Sequence, residues 1–311
     1  MSDKSAIEWT DATWNPTVGC TKVSEGCDRC YAERLVEGRM QHRYPDGFGQ
    51  VRVHAHRVSL PLGWRRPRRV FVNSLSDLFH EQIPDPWRVE IFAVMAAARR
   101  HTFQVLTKRP GPMASLLNRL SFRDAVRDRA TGKVLRDLEW AWRWPLPNVW
   151  LGTSVENQKW ADVRIPKLLE TPAAVRFLSC EPLLGPIDLT ALRASNGALI
   201  DCLHGDVKTA DGVVYAACPS GLEWVIVGGE SGAGARPMDL AWARALVQQS
   251  RAANVAAFVK QFGAHPYDSG NGNLPWLCRS PKGGDPDEWP EDLRVRQFPL
   301  STTTAGRGAA S

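Results

Sequence analysis

Short runs rich in β-branched and aromatic residues recur along the chain. Each closes on polar or glycine residues and is followed by a stretch of helical spacing, the pattern of repeated βα units around a parallel sheet. Arg69-Val-Phe-Val-Asn-Ser74 leads through Asp77 to His80 into a helix expected from about Pro86 to Arg100, where Val89, Phe92, Ala93 and Ala96 share a face. A proline at its start suits the first helical turn. Thr102-Phe-Gln-Val-Leu-Thr107 ends at Lys108-Arg109-Pro110 and precedes a helix near Met113 to Leu120, after which comes a charged segment carrying Trp140, Trp142 and Trp144.

Val149-Trp-Leu-Gly152 runs into Thr153-Ser154-Val155-Glu156, with a helix at Gln158 to Glu170, and Val175 to Ser179 closes on Cys180-Glu181-Pro182. Residues 190–221 have no clear period and read as an inserted loop. Glu223-Trp-Val-Ile-Val227 is the most strand-like run, ending at Gly228-Gly229-Glu230-Ser231-Gly232 before a helix from Leu240 to Ala253, and Ala256 to Lys260 forms a last strand. Counting the segment before Cys20, six or seven βα units predict an α/β fold, a partial parallel (β/α) barrel in one domain over residues 1–266. The Gly-, Pro- and Ser-rich residues 267–311 read as a poorly ordered tail. In such folds the loops after the strands build the site, so the polar residues ending each strand become candidates together.

Composition narrows the class. No run approaches the eighteen or so apolar residues of a membrane helix, and Met1 to Trp9 lacks the basic-then-apolar order of a secretion signal, so a cytoplasmic protein without a membrane partner is expected. Seven cysteines is an odd number, and three of them within eleven residues suit metal ligation in a reducing compartment better than disulfides. The net charge of +6 is concentrated: between Arg39 and Arg69 eight arginines face one acid, Asp46. Interleaved with His42, His54, His56, Tyr44, Phe48 and Trp64, the patch, with Arg65, Arg66, Arg68 and Arg69 at its end, has the make-up of a nucleic-acid or nucleotide contact. Its plainer reading is a solvated loop.

Cys20, Cys27 and Cys30 form a C-x6-C-x2-C array, with glycines at 19 and 26 permitting tight turns. Structural zinc needs four closed ligands, and no second C-x2-C or H-x3-H pair follows. Three thiolates without a fourth are what an open-site 4Fe-4S cluster needs. Cys180, Cys202, Cys218 or a histidine could still supply a distant fourth ligand, which keeps zinc in play, and Cys278 has no assigned role.

These residues also carry a resemblance. Trp9-Thr-Asp-Ala-Thr-Trp14-Asn-Pro-Thr-Val-Gly-Cys20 and Gly26-Cys27-Asp-Arg-Cys30-Tyr31-Ala-Glu33 look like the opening of a family of phage and prophage proteins. Asn73 to Phe79, Leu106 to Pro110, Ser179 to Leu183, Gly228 to Gly232 and Phe258 to Gly263 continue the match in order. That family resembles radical S-adenosylmethionine enzymes, although their usual loop is C-x3-C-x2-C. The resemblance implies a cluster loop after the first strand, S-adenosylmethionine bound at the open iron, reductive cleavage to a 5'-deoxyadenosyl radical, an electron donor such as a flavodoxin or ferredoxin, and a substrate that is a nucleotide or nucleic acid, with a partner protein conceivable.

It further implies that Asn73, Ser74, Ser76 and Asp77 hold the methionine amino group. Ser154 and Glu156 would bind the ribose hydroxyls, and Gly228, Gly229 and Glu230 would let backbone approach adenine or substrate. Lys108, Arg109 and Lys260 would take a carboxylate or phosphate, and Glu181 would point into the barrel mouth. The competing expectation, from a different class, is a zinc-stabilised nucleic-acid-binding protein without catalysis.

Overall fold

The computed structural model describes residues 5–133, 142–216 and 221–300. Seven parallel strands form one curled sheet, a half-barrel: β1 (Ala12–Trp14), β2 (Arg69–Val72), β3 (Thr102–Thr107), β4 (Val149–Ser154), β5 (Val175–Cys180), β6 (Trp224–Gly228) and β7 (Ala256–Gln261), in sequential order. Successive neighbours in one direction are what helix-bearing crossovers of a single hand produce.

Helices α1 (Tyr31–Glu37), α2 (Asp85–Ala97), α3 (Pro110–Leu117), α4 (Leu120–Thr131), α5 (Gln158–Leu169) and α6 (Leu240–Ala252) lie in the crossovers, except that between β5 and β6. The helices expected at 86–100, 113–120, 158–170 and 240–253 are thus α2, α3, α5 and α6. α4 was not anticipated: its sequence is charged, but Phe122, Val126 and Ala130, four residues apart, form a buried stripe against α2. In the charged segment after it residues 134–141, Trp140 among them, lie outside the described residues, while Trp142 and Trp144 stack at 6.2 Å against the core.

Alternation along the strands builds two cores. Val70, Val72, Phe103, Val105, Leu151, Leu178, Val225 and Val227 face the helices. Phe71, Trp150, Val175, Phe177, Trp224, Ile226 and Phe258 face inward, where Trp9 joins them and the rings fill the lower half-barrel. Gly152 belongs to this inner face because the Phe177 ring occupies the place of its side chain; a Cβ there would stand 2.6 Å from ring carbons. Gly152→Ala is expected to cost about 1–3 kcal/mol by overpacking, measurable by chemical denaturation.

Two expectations change. Residues 190–221 are not a plain loop: Leu192–Arg193, Leu199–Asp201, Asp206–Lys208 and Val214–Ala216 pair as a small antiparallel sheet. The strands are too short to display a period. Residues 267–300 are not a poorly ordered tail. Pro266–Asp268 pairs with Met238–Asp239, Trp289 stacks on Phe262 at 4.8 Å, Leu293 is fully buried and Phe298 lies 5.3 Å from Trp224. A few large apolar residues spaced through Gly- and Pro-rich turns anchor this segment, and low average hydrophobicity conceals them. Residues 301–311 lie outside the described residues. No helix among the described residues is long and apolar enough to cross a membrane.

Candidate functional site

Above the aromatic floor, the C-terminal strand ends surround a cavity of about 440 Å³. Cys20, Cys27 and Cys30 border it, as do Asn73, Ser74, Ser76 and Asp77 after β2, Lys108 and Arg109 after β3, and Ser154 at the end of β4. Glu181 after β5, Gly229 and Glu230 after β6, and Lys260 in β7 complete the ring. Residues 150 or more apart in sequence converge because every parallel strand delivers its C-terminal end to the same side.

The cysteine loop spans the mouth. Gly19 has φ +104° and leaves no room for a side chain against the Gln50 backbone, turning the chain between β1 and Cys20. Glu25–Cys27 is a short 3-10 turn, and Cys30 caps α1. All three thiols are free and half-buried. Burial pushes Cys20 up to about 11, reinforced by Asp77 and Cys27 and opposed by Arg109; burial likewise raises Cys30, with Cys27 adding to it.

The strand ends grip this loop at several points. Arg109 donates to Thr21 O at 3.1 Å and Thr21 Oγ1 at 2.8 Å, and its Nη1 stands 3.7 Å from Cys20 Sγ. Ser24 Oγ donates to Glu156 at 3.1 Å. Glu25 accepts from Asn157 Nδ2 and Trp160 Nε1, each at 2.7 Å. Tyr31 OH donates to Ser74 O, Arg34 to Ser231 O at 3.1 Å, and Arg29 pairs with Glu230 at 3.5 Å.

Several candidates prove to be occupied by protein. Glu156 is fully buried and does not border the cavity: it receives Lys108 at 2.9 Å and Arg164 at 3.0 Å besides Ser24. It therefore holds the loop rather than a ribose. Asp77 accepts from Thr107 Oγ1 at 2.7 Å, Lys108 N at 3.0 Å and Phe79 N at 2.9 Å. Ser76 bonds Thr17 and Ser74 bonds Asn15. Against the penalty of burial, hydrogen bonds from Arg236 hold the Glu230 carboxyl below its ordinary range. Gly228 and Gly229 are required by packing, since side chains there would meet the Glu181 carboxylate and the Phe262 carbonyl. Lys260 pairs with Glu181 at 2.8 Å.

Asn73 is different. It sits at φ +59°, is 2% exposed, borders the cavity, and neither carboxamide atom has a hydrogen-bond partner. A buried amide without partners is costly unless something else supplies them.

The arginine patch does not join the site. Arg69 begins β2, at the opposite end of the strand, where it pairs with Asp11 at 3.0 Å and lies 4.0 Å over the Phe298 ring. Arg68 lies over Trp64 at 5.4 Å, Arg65 and Arg66 are exposed, and none of the four borders the cavity. Proximity in sequence to β2 misled because Arg69 and Asn73 are at opposite ends of one strand.

Nor do the other described cysteines reach the loop. Alternation turns Ser179 and Glu181 toward the cavity and Cys180 into the helix-side core; Cys202 is buried and donates to Leu189 O at 3.1 Å. Cys278 does not border the cavity, and Cys218 lies outside the described residues. Among the described residues, no three His, Cys, Asp or Glu side chains converge as ligands of a single ion.

No curated protein and no solved structure matches the chain. Residues 4–306 match the model of a family described as a protein of unknown function, DUF5131, and the chain belongs to that family.

Proposed function

We propose that this protein is an iron–sulfur enzyme of the radical S-adenosylmethionine type, its 4Fe-4S cluster held by Cys20, Cys27 and Cys30. The observation that carries the reading is that three free thiols border one cavity with the polar ends of six strands, while Cys180, Cys202 and Cys278 stand away from it. That donor set suits a cluster with one iron left open. A zinc site would need its ligands about 2.3 Å from a single point.

The cofactor's amino-acid end fits Asn73. A carboxamide offers an acceptor to an ammonium and a donor to a carboxylate, and this one lacks partners among the described residues. Bound together, cluster and cofactor would supply a 5'-deoxyadenosyl radical for hydrogen abstraction, given an electron from a donor such as a flavodoxin or ferredoxin. The protein's own part is placement. Arg109 sets a positive charge beside Cys20, the Glu156 and Glu25 contacts fix the loop, and Ser154 presents its hydroxyl to the cavity. The aromatic floor keeps water from the lower barrel. A thiolate-bound cluster also calls for a reducing compartment such as the cytoplasm.

The test is iron, sulfide and zinc content with the ultraviolet–visible spectrum of anaerobically purified protein, beside a Cys20→Ala, Cys27→Ala, Cys30→Ala variant. Iron of about four per chain with a broad band near about 400 nm, both lost in the variant, is the expected result. Stoichiometric zinc without iron would replace this reading by the zinc-stabilised binding protein.

A further inference from the structure

The cavity has a second end, away from the cysteine loop, and the cofactor's amino-acid contacts do not account for it. Ala6, Ile7, Glu8 and Trp9 border it there, next to the aromatic floor, with Phe71 and Leu106 from the inner face of the sheet. Trp9 is 2% exposed and lies against Phe71, ring centroids 4.7 Å apart, with Ile7 and Leu106 packed on the same cluster. Its indole Nε1 is buried and has no hydrogen-bond partner among the described residues. The neighbouring Glu8 uses Oε1 to receive Lys282 at 2.5 Å, whereas its Oε2 is buried and has none.

An indole N–H and a carboxylate oxygen on consecutive residues are thus left as one donor and one acceptor in an apolar, ring-lined recess. Burying both without partners carries a free-energy penalty that a ligand with the complementary pair would relieve. A flat ring that stacks on aromatic surface and carries an acceptor beside an N–H on its edge has that chemistry. We infer that this end of the cavity binds the heteroaromatic base of a nucleoside substrate, its edge accepting from Trp9 Nε1 and donating to Glu8 Oε2.

The inference rests on the proposed function only in giving the cysteine end to the cofactor, and it makes the substrate a single base within the cavity, not a strand laid along the distant arginines. Stacking tolerates any base, and the edge hydrogen bonds are what discriminate one base from another.

The test is calorimetric titration of the full-length, anaerobically purified protein with thymidine in the presence of saturating S-adenosylmethionine, with iron measured on the same samples. Thymidine offers a carbonyl beside its N3–H; 3-methylthymidine lacks the N–H. Saturable thymidine binding is expected, weakened roughly tenfold or more by the methyl group and by either Trp9→Phe or Glu8→Ala. Trp9→Phe removes the donor and leaves an aromatic ring in its place, and circular dichroism and thermal unfolding of that variant serve as the folding control. Absence of thymidine binding, equal affinity for 3-methylthymidine, unchanged affinity in both variants, or displacement of thymidine by S-adenosylmethionine would each overturn the inference. Iron without base discrimination sinks this inference alone; base discrimination in iron-free protein leaves it standing and sinks the cluster.

Discussion

Glu156→Ala is expected to destabilise the protein by about 3–5 kcal/mol, because it strands the buried Arg164 guanidinium and the Lys108 ammonium without their counter-charge. Chemical denaturation measures this directly. The same substitution removes the acceptor for Ser24 Oγ, so the cysteine loop loses a hold on the end of β4. Alkylation of Cys20, Cys27 and Cys30 in metal-free protein is then expected to quicken, and Glu156→Gln, which keeps an acceptor oxygen, should quicken it less. A destabilised variant with unchanged alkylation rates would separate stability from loop placement and refute the docking role. Gly26 belongs to the same contact. An added Cβ would fall on the Glu156 carboxylate, and that carboxylate cannot swing aside without leaving its three partners.

This docking explains the spacing of the cysteines. In C-x6-C the residues between Cys20 and Cys27 include Ser24, Glu25 and Gly26, the three that reach Glu156, Asn157 and Trp160. The longer first interval is a foot that stands on the β4–α5 junction.

Trp289→Ala should cost about 3–5 kcal/mol, comparable to emptying the centre of the core. Trp289 is 2% exposed, stacks on Phe262, donates from Nε1 to Gly283 O at 3.0 Å, and has the Arg296 guanidinium 5.1 Å from its ring. Urea titration beside wild type checks the magnitude. A change below about 1 kcal/mol, the size typical of surface substitutions, would mean that residues 267–300 are dispensable. The local consequence reaches the cavity, since Gly283 O receives Phe262 N and Lys282 O receives Gly263 N, so the stacked pair holds the segment carrying Lys282.

Strand periodicity made the half-barrel legible. Val70 and Val72 against Phe71, or Phe103 and Val105 against Leu106, alternate so regularly that both faces and the strand ends follow from the order of residues. The candidate site was legible for the same reason: whatever polar residue ends a parallel strand arrives at one rim. What could not be read was how those residues satisfy one another. Glu156 and Ser154 are two apart and look equivalent, yet one is consumed by Arg164, eight residues on along α5, a partner no local pattern reveals. The arginines near β2 failed in the opposite way, since a composition window spans a strand's two ends and averages over about 10 Å of separation. Trp289 and Leu293 were hidden because burial there is decided by Phe262, just past β7, and by α6, which are distant in sequence.

The Glu8–Lys282 contact joins residues 274 positions apart. During synthesis, which proceeds from the N-terminus, Glu8 and the cysteine loop emerge well before Lys282, so this contact forms only after all seven strands of the sheet have been made. The part of the cavity wall that Glu8 and Lys282 share is therefore fastened later than the strands on which the rest of the cavity is built.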